Sequence, residues 1–222
     1  MSINSSQKIK CPSCGQLHDV TVWNSVTVDD SADLKKDLLG GRLNMFTCSS
    51  CSYRALMPTP MLYHDKAKKL LISFSPCDDE ALKKRMYSNI CEKSKESGEL
   101  KEFEGYNLRY VCEYNSLLEK ILIFDALLND KAIEVIKLLV LSQESDKADN
   151  RTCIFGKKTD GEIEFIVSDT KENQVYTSRV PLETYNIIWQ ELRNSGVKPY
   201  SFDWEWVNAD YADRLINGIN NC

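Results

Sequence analysis

Long apolar runs are missing from this sequence: no stretch approaches the eighteen or so residues that a membrane-spanning helix needs. Met1 to Lys8 contains no apolar segment of the kind a secretory signal carries, which predicts a cytoplasmic protein. Histidine is scarce, with only His18 and His64 in 222 residues. There is no glycine-rich phosphate loop, no nucleophile elbow, no metalloprotease helix and no internal repeat, so the enzyme classes that announce themselves in sequence are excluded. An excess of positive charge is lacking too: 28 Lys and Arg stand against 33 Asp and Glu, for a net −5. The balance is uneven, because residues 1–76 carry nine basic side chains against six Asp and the remainder is strongly acidic. No basic stripe of the kind that neutralises phosphates results, which argues against nucleic acid.

Cysteine, by contrast, is plentiful, at nine residues. In a reducing compartment disulfides are disfavoured, and clustered cysteines are read as metal ligands or reactive groups. Four of them form two C-x2-C pairs, Cys11/Cys14 and Cys48/Cys51, with 33 residues between. A C-x2-C turn points both sulfurs to one side, and two such turns brought together place four thiolates around one Zn²⁺. Gly15 supplies the left-handed conformation such a turn requires, and Pro12 stiffens it. Ser52 occupies the matching position of the second turn, a weaker fit. A thioredoxin-like redox pair is the rival reading of Cys-Pro-Ser-Cys, but that site opens a long helix, whereas Gly15 and a β-patterned stretch follow here. Four thiolates leave no open position for water, so the zinc is structural and no catalytic residue is assigned. Cys77, Cys91, Cys112, Cys153 and Cys222 are scattered and read as small buried hydrophobes.

Period and punctuation predict the elements around these pairs. Lys8 to Lys10 is a short extended lead-in. Leu17 to Val28 alternates as one long strand or two. A short helix bearing Leu34, Leu38 and Leu39 follows, capped near Asp29 to Ser31 and ended by Gly40 and Gly41. Tyr53 to Met57 is a strand, and Tyr63 to Asp65 with Lys66 to Lys69 reads as a hairpin turn into the strand Leu70 to Phe74. Asp78 or Asp79 caps a helix through Leu82, Met86 and Ile90, whose charged tail, Glu92 to Glu104, is expected to fray into a loop. Leu108 to Cys112 is a strand. Two helices follow, one through Leu117, Ile121, Phe124 and Leu128 and one through Ile133, Ile136 and Val140. The polar run from Ser142 to Asn150 marks a domain boundary near residue 145. Strands over Thr152 to Phe155, Glu162 to Val167 and Gln174 to Val180 come next, then a helix begun by Pro181, an aromatic strand and a last helix from about Ala209 to Ile216.

The stretches Cys-Pro-Ser-Cys-Gly (11–15), Val-Trp-Asn-Ser-Val (22–26), Leu-Leu-Gly-Gly-Arg-Leu-Asn-Met-Phe-Thr-Cys-Ser-Ser-Cys (38–51) and Met-Leu-Tyr-His-Asp-Lys (61–66) resemble the CpXC domain family of prokaryotic proteins. The resemblance covers residues 9–125 and continues into Leu127 to Lys137. The family's two cysteine-pair motifs fall on Cys11/Cys14 and Cys48/Cys51, with Ser49 in place of the second proline. It implies a zinc-ribbon-like element in a cytoplasmic bacterial or archaeal protein, and no particular activity.

Other features have plainer readings. His18 reads as a surface or turn residue rather than a group behind the zinc ligands. His64 and Asp65 look like an orienting pair, but neighbours on a strand point to opposite faces and no nucleophile sits beside them. Glu162 and Glu164 share a solvated strand face. Tyr200, Phe202, Trp204 and Trp206 alternate as a strand whose aromatic face covers a core, or a partner site if exposed.

The expected protein is α+β. A zinc-ribbon-containing domain with helices spans 1–145, and a small antiparallel sheet with helices spans 146–222. Its expected role is a protein-interaction module with one structural Zn²⁺ on Cys11, Cys14, Cys48 and Cys51. Nucleic-acid binding is the second reading and an enzyme with a site between the domains the third; homo-oligomerisation stays open.

Overall fold

The alternating stretch after the first cysteine pair folds as one strand. In the computed structural model, which describes residues 1–142 and 150–220, β1 (Ile3–Lys10) and β2 (Leu17–Thr27) form an antiparallel hairpin. Every second side chain of β2 turns inward, which buries Val22 and Val26 completely. The lead-in expected at Lys8 is thus the end of a longer edge strand. Its start is tied down by Ser2, whose amide donates to Asp30 and whose hydroxyl donates to the Thr27 carbonyl.

After β2 come α1 (Ala32–Leu39) and a small hairpin of β3 (Met45–Thr47) and β4 (Arg54–Leu56). β5 (Met61–Asp65) then lies parallel to the end of β2, and β6 (Leu70–Phe74) antiparallel to β5. Tyr63 to Asp65 therefore belong to a strand rather than a turn. The reversal falls on the lysines after them, where Lys69 takes φ +47°. α2 (Glu80–Ser97) and a 3-10 turn (Glu99–Phe103) lead to β7 (Asn107–Val111), parallel to β6. The sheet order is β1-β2-β5-β6-β7. Its two parallel neighbours need crossover connections, and the first crossover carries the second cysteine pair.

The charged tail of α2 does not fray. Asp79 caps the helix start by accepting the Leu82 amide at 2.6 Å, and the helix runs to Ser97, where Gly98 closes it at φ +67°. Ile90, Leu100, Phe103 and Tyr106 pack on Leu71, Leu108 and Trp204. The Trp204 indole donates to Ser94 Oγ at 2.8 Å, and Tyr87 donates to the Trp204 carbonyl at 2.9 Å. The anchor comes from more than a hundred residues away, so local composition does not reveal it.

The segment carrying Trp204 is not the aromatic strand expected at Tyr200 to Trp206. Only Glu205 makes a bridge, to Arg109, while Trp204 is buried and Phe202 is 75 % exposed. The alternation breaks because Arg109, fully buried in β7, gathers the segment by hydrogen bonds. It donates to Ser201 Oγ at 2.6 Å, Glu205 at 2.8 Å and Asn107 at 3.1 Å.

By packing, the chain divides into Met1–Leu118 with Ser201–Glu205, and Glu119–Tyr200 with Trp206–Cys222. The boundary expected near residue 145 lies outside the described residues. The division falls earlier, inside α3 (Tyr114–Asp125). Ile123, Leu128, Ile133 and Ile136, from the end of α3 through α4 (Asp130–Ser142), join one core with Cys153, Phe155, Phe165 and Val167. Those last four point inward from β8 (Arg151–Lys158) and β9 (Glu162–Asp169), which with β10 (Gln174–Pro181) form an antiparallel sheet. α5 (Leu182–Asn194) and α6 (Ala209–Asn220) add Tyr185, Leu192 and Ala212 to that core. The protein is α+β. Among the described residues, no helix is long and apolar enough to cross a membrane.

A buried ion network, unforeseen in the sequence, sits in the second unit. Lys120 Nζ lies 3.2 Å from Asp130 and 2.9 Å from Glu134, and Lys137 Nζ lies 3.0 Å from Glu119 and 3.1 Å from Glu134. Glu119 also accepts the Phe155 amide at 2.6 Å, which fastens the network to β8. Burial acts against charge on Glu134, yet Lys120 and Lys137 outweigh it and hold the carboxyl below its usual range. Burial likewise opposes charge on Lys137, and the carboxylates of Glu134 and Glu119 push it above the ordinary lysine value.

A carboxyl with a depressed folded value stabilises the fold above its unfolded value and stops doing so as pH falls through the folded one; the raised lysine does the reverse at high pH. The urea midpoint should be flat between about pH 5 and 9 and fall on the acid side. Glu134→Gln, which strips counter-charge from two buried ammonium groups, should cost about 3–5 kcal/mol at neutral pH. That gap should narrow near pH 3; a constant gap across the range would show that the network's charge is irrelevant.

Candidate metal centre

The first cysteine pair occupies the turn of the β1–β2 hairpin, just beyond the terminal pair Lys10 and Leu17. The Cys11 amide donates to the Gln16 carbonyl at 2.8 Å and the Gly15 amide to the Cys11 carbonyl at 2.9 Å, with Gly15 at φ +75°. The second pair repeats this at the turn of the β3–β4 hairpin. The Cys48 amide donates to Tyr53 at 2.8 Å, the Ser52 amide to Cys48 at 3.0 Å, and Ser52 takes φ +59°. Ser52 therefore does adopt the left-handed conformation that glycine serves in the first turn. The two turns are the same structure made from different residues.

Together the turns bring all four Sγ atoms within 4.8 Å of one another. Cys11 and Cys51 stand 3.7 Å apart, and Cys14 and Cys48 3.6 Å. A sulfur tetrahedron around an ion at about 2.3 Å has edges of about 3.8 Å, so these pairs already span such an edge. They are too far apart for disulfides, which need about 2.05 Å. The donor set fits a metal: four soft sulfurs that converge on one point. The first cysteine of each turn, Cys11 and Cys48, is buried on Phe46, flanked by Ile9, Val20, Tyr53 and Met57. Cys14 and Cys51 face outward.

The thiols differ in acidity. At Cys48, burial works to raise the value, but the amides of Cys51 and Ser50 and the sulfurs of Cys51 and Cys14 pull it down to about 6. At Cys14 the Gln16 amide works to lower it, yet burial and the other three sulfurs push it up to about 12. One thiolate forms readily and then opposes the next. Only a cation among the sulfurs makes the full set of charges compatible, with release of protons on binding.

His18 lies closer to this centre than its sequence suggests. Its Nε2 is 3.2 Å from Cys48 Sγ, and its ring meets Phe46 edge-on at 5.6 Å. It is a half-buried group beside the Cys48 sulfur rather than a surface turn residue. The usable signal is period two: His18, Val20 and Val22 share one face of β2, and Val20 packs in the cluster beneath the sulfurs.

The remaining candidates stay apart. His64 packs on Phe103 and Tyr106, with Nε2 3.4 Å from the Tyr106 hydroxyl, and burial lowers its value. Asp65 instead accepts from Lys35 at 3.2 Å and from the Lys68 amide at 3.1 Å. No orienting pair forms. Arg179 Nε lies 3.2 Å from both Glu162 and Glu164, which makes them part of a strand-face ion ladder.

A family model described as CpXC protein matches residues 9–137, more than half of the 222 residues. The chain belongs to the CpXC family. No curated protein and no solved structure matches it.

The left-handed positions offer a test of the paired turns. An alanine Cβ at Gly15 would meet only Lys10 Cε, at 3.6 Å, so space is not the obstacle. Gly15→Ala should nonetheless cost about 1–2 kcal/mol through its backbone. Ser52→Gly should leave stability unchanged or raise it. Thermal unfolding of the two variants checks both; equal effects would mean the turns are not equivalent.

Proposed function

We propose that this CpXC protein holds one structural Zn²⁺ on Cys11, Cys14, Cys48 and Cys51, as a zinc ribbon does, and that it works as a protein-interaction module. The observation that carries the metal reading is the convergence of four sulfurs from two equivalent hairpin turns. Zinc suits a tetrahedral all-sulfur set, and four thiolates close its coordination, so water activation is not its task. What the ion does is join two hairpin tips that no hydrophobic core of ordinary size holds. Cytoplasmic residence, where thiols stay reduced for metal, agrees with this chemistry.

The joined tips expose Pro12, Ser13, Gln16, Leu17, Ser49 and Ser50, with Leu17 67 % exposed. These tip residues are uncharged and are bordered by charges of both signs, Lys10, Asp19 and Arg54, rather than by a run of cations, which suits a protein partner better than a phosphate backbone. Three cations elsewhere in the same unit are engaged with acids: Lys35 with Asp65 at 3.2 Å, Lys36 with Asp33 at 3.2 Å and Arg42 with Asp37 at 2.9 Å. Those pairs weaken the nucleic-acid reading.

Elemental analysis of the purified chain should give one zinc per molecule, and Cys11→Ser or Cys48→Ser should lose the metal and unfold the first unit. A metal-free wild type that is fully folded would refute the site. His18→Ala should keep the stoichiometry while weakening zinc about 10–100-fold in a chelator competition, as loss of a group hydrogen-bonded to a ligand does. For the interaction role, Leu17→Ser with zinc retained should lose the protein that co-purifies with wild type. Binding that instead survives Leu17→Ser, falls steeply with salt and disappears on nuclease treatment would favour nucleic acid.

A further inference from the structure

Cys77 and Cys112 fit neither the metal centre nor a purely apolar role. Cys112 follows the last residue of β7, and Cys77 lies three residues beyond the end of β6, its parallel neighbour. Backbone contacts continue past both strands: the Ser75 amide donates to Val111 at 2.9 Å and, beyond Pro76 and out of the strand register, the Cys77 amide donates to the Cys112 carbonyl at 3.4 Å. An amide-to-carbonyl contact of this length leaves the two Cα atoms roughly 5–7 Å apart, a range that overlaps what a disulfide spans. Both cysteines also line one cleft of about 390 Å³, with Phe74, Pro76, Glu113 and Tyr114. The two are unequal. Cys77 is half-exposed, its sulfhydryl directed at the Asp79 carbonyl 3.5 Å away, whereas Cys112 is 5 % exposed.

We propose that Cys77 and Cys112 form a thiol–disulfide redox site, separate from the four-cysteine centre, that reacts with a low-molecular-weight disulfide entering this cleft. Cys77, the accessible sulfur, attacks as thiolate on one sulfur of RSSR. A Cys77–SR mixed disulfide forms, the RS–SR bond breaks, and RS⁻ leaves to take up the proton that Cys77 lost. Cys112 then loses its proton to solvent and attacks the Cys77 sulfur, which expels the second RS⁻ to be protonated in turn. The balance is two protein thiols and one RSSR giving one protein disulfide and two RSH, so the small disulfide is the oxidant. The asymmetry suits these roles. Burial pushes the Cys112 thiol up, against the opposing influence of Tyr110 and Lys83, and also shields its sulfur from disulfides in solution, so Cys77 is the sulfur that reacts first. The closed bridge ties the ends of β6 and β7 together across the mouth of the cleft.

The test uses the full-length, zinc-loaded chain, oxidised glutathione as the probe, rapid alkylation and peptide mass spectrometry. Native protein should yield a Cys77–Cys112 linked peptide, while Cys91 and Cys153, whose thiols burial raises, remain alkylatable after unfolding. Cys112→Ser should stop at a single glutathione on Cys77. Cys77→Ser should show at least tenfold slower modification of Cys112. The zinc content should be the same before and after oxidation, which keeps this result independent of the metal site. A linkage that appears only in denaturant, or glutathione held on Cys77 in wild type without resolution by Cys112, would overturn the proposal.

Discussion

Four sulfurs within 4.8 Å of one another cannot all carry negative charge without a cation, and the N-terminal architecture is organised around that constraint. Each hairpin tip is by itself a short turn whose internal bonds are a few backbone contacts. The strands behind the second tip are three residues each, far below what holds a hairpin in water. What fixes one tip against the other is the sulfur cluster and the small group of side chains around Phe46. A metal bound there would supply the missing attraction, turn repulsion among thiolates into cohesion, and make folding of this region depend on loading. The second cysteine pair could then sit inside a crossover connection, where an unsupported hairpin does not persist.

The sequence reveals this centre well because its information is local. Two C-x2-C spacings, Gly15, and the strands around the turns all lie within a few residues of the ligands. Ser52 is less legible, since serine adopts positive φ only when surroundings impose it, and here a mirrored pair of hydrogen bonds does. His18 is hidden for another reason: a lone histidine on a strand has meaning only when the partner across the fold is known. The helices and strands of both units follow their periodicity closely, with errors where distant polar contacts override it. The tail of α2 reads as a charged loop, yet Trp204 holds it helical through Ser94 and Tyr87. The aromatic alternation from Tyr200 to Trp206 reads as a strand, yet Arg109 bends it through Ser201 and Glu205.

The second of these departures shares a physical cause with the ion network of the second unit. A buried charge demands complete satisfaction, because the cost of leaving it bare exceeds the preference of any short segment for helix or strand. Arg109 is fully buried and donates to Ser201, Glu205, Asn107 and the Leu108 carbonyl, and Lys120 is 1 % exposed and finds two carboxylates. No buried side-chain nitrogen or oxygen among the described residues lacks a partner. Glu119, Lys120, Asp130, Glu134 and Lys137 look in sequence like the polar face of two ordinary amphipathic helices. Glu119, Lys120, Asp130 and Glu134 are instead buried and Lys137 half-buried, with the first turns of α4 buried residue after residue from Asp130 to Ile136. Periodicity cannot distinguish a solvated polar stripe from a paired one, and so this is where prediction from pattern fails.

The same reasoning separates the cysteines by chemistry rather than by residue type. Where four converge, charge repulsion favours a metal, and a metal bound to all four would leave no sulfur free to react. Where two meet at the ends of neighbouring strands, there are too few donors for a closed site, and the available chemistry is exchange. Cys153 stands alone within an apolar core, its value raised by burial to about 12, and has neither option. Number, spacing and access would thus sort one side chain into structural, exchangeable and inert forms within a single chain. Of these, only the first is readable as a motif, since Cys77 and Cys112 are brought together by the irregular segments that follow β6 and β7, out of the register of the strands themselves.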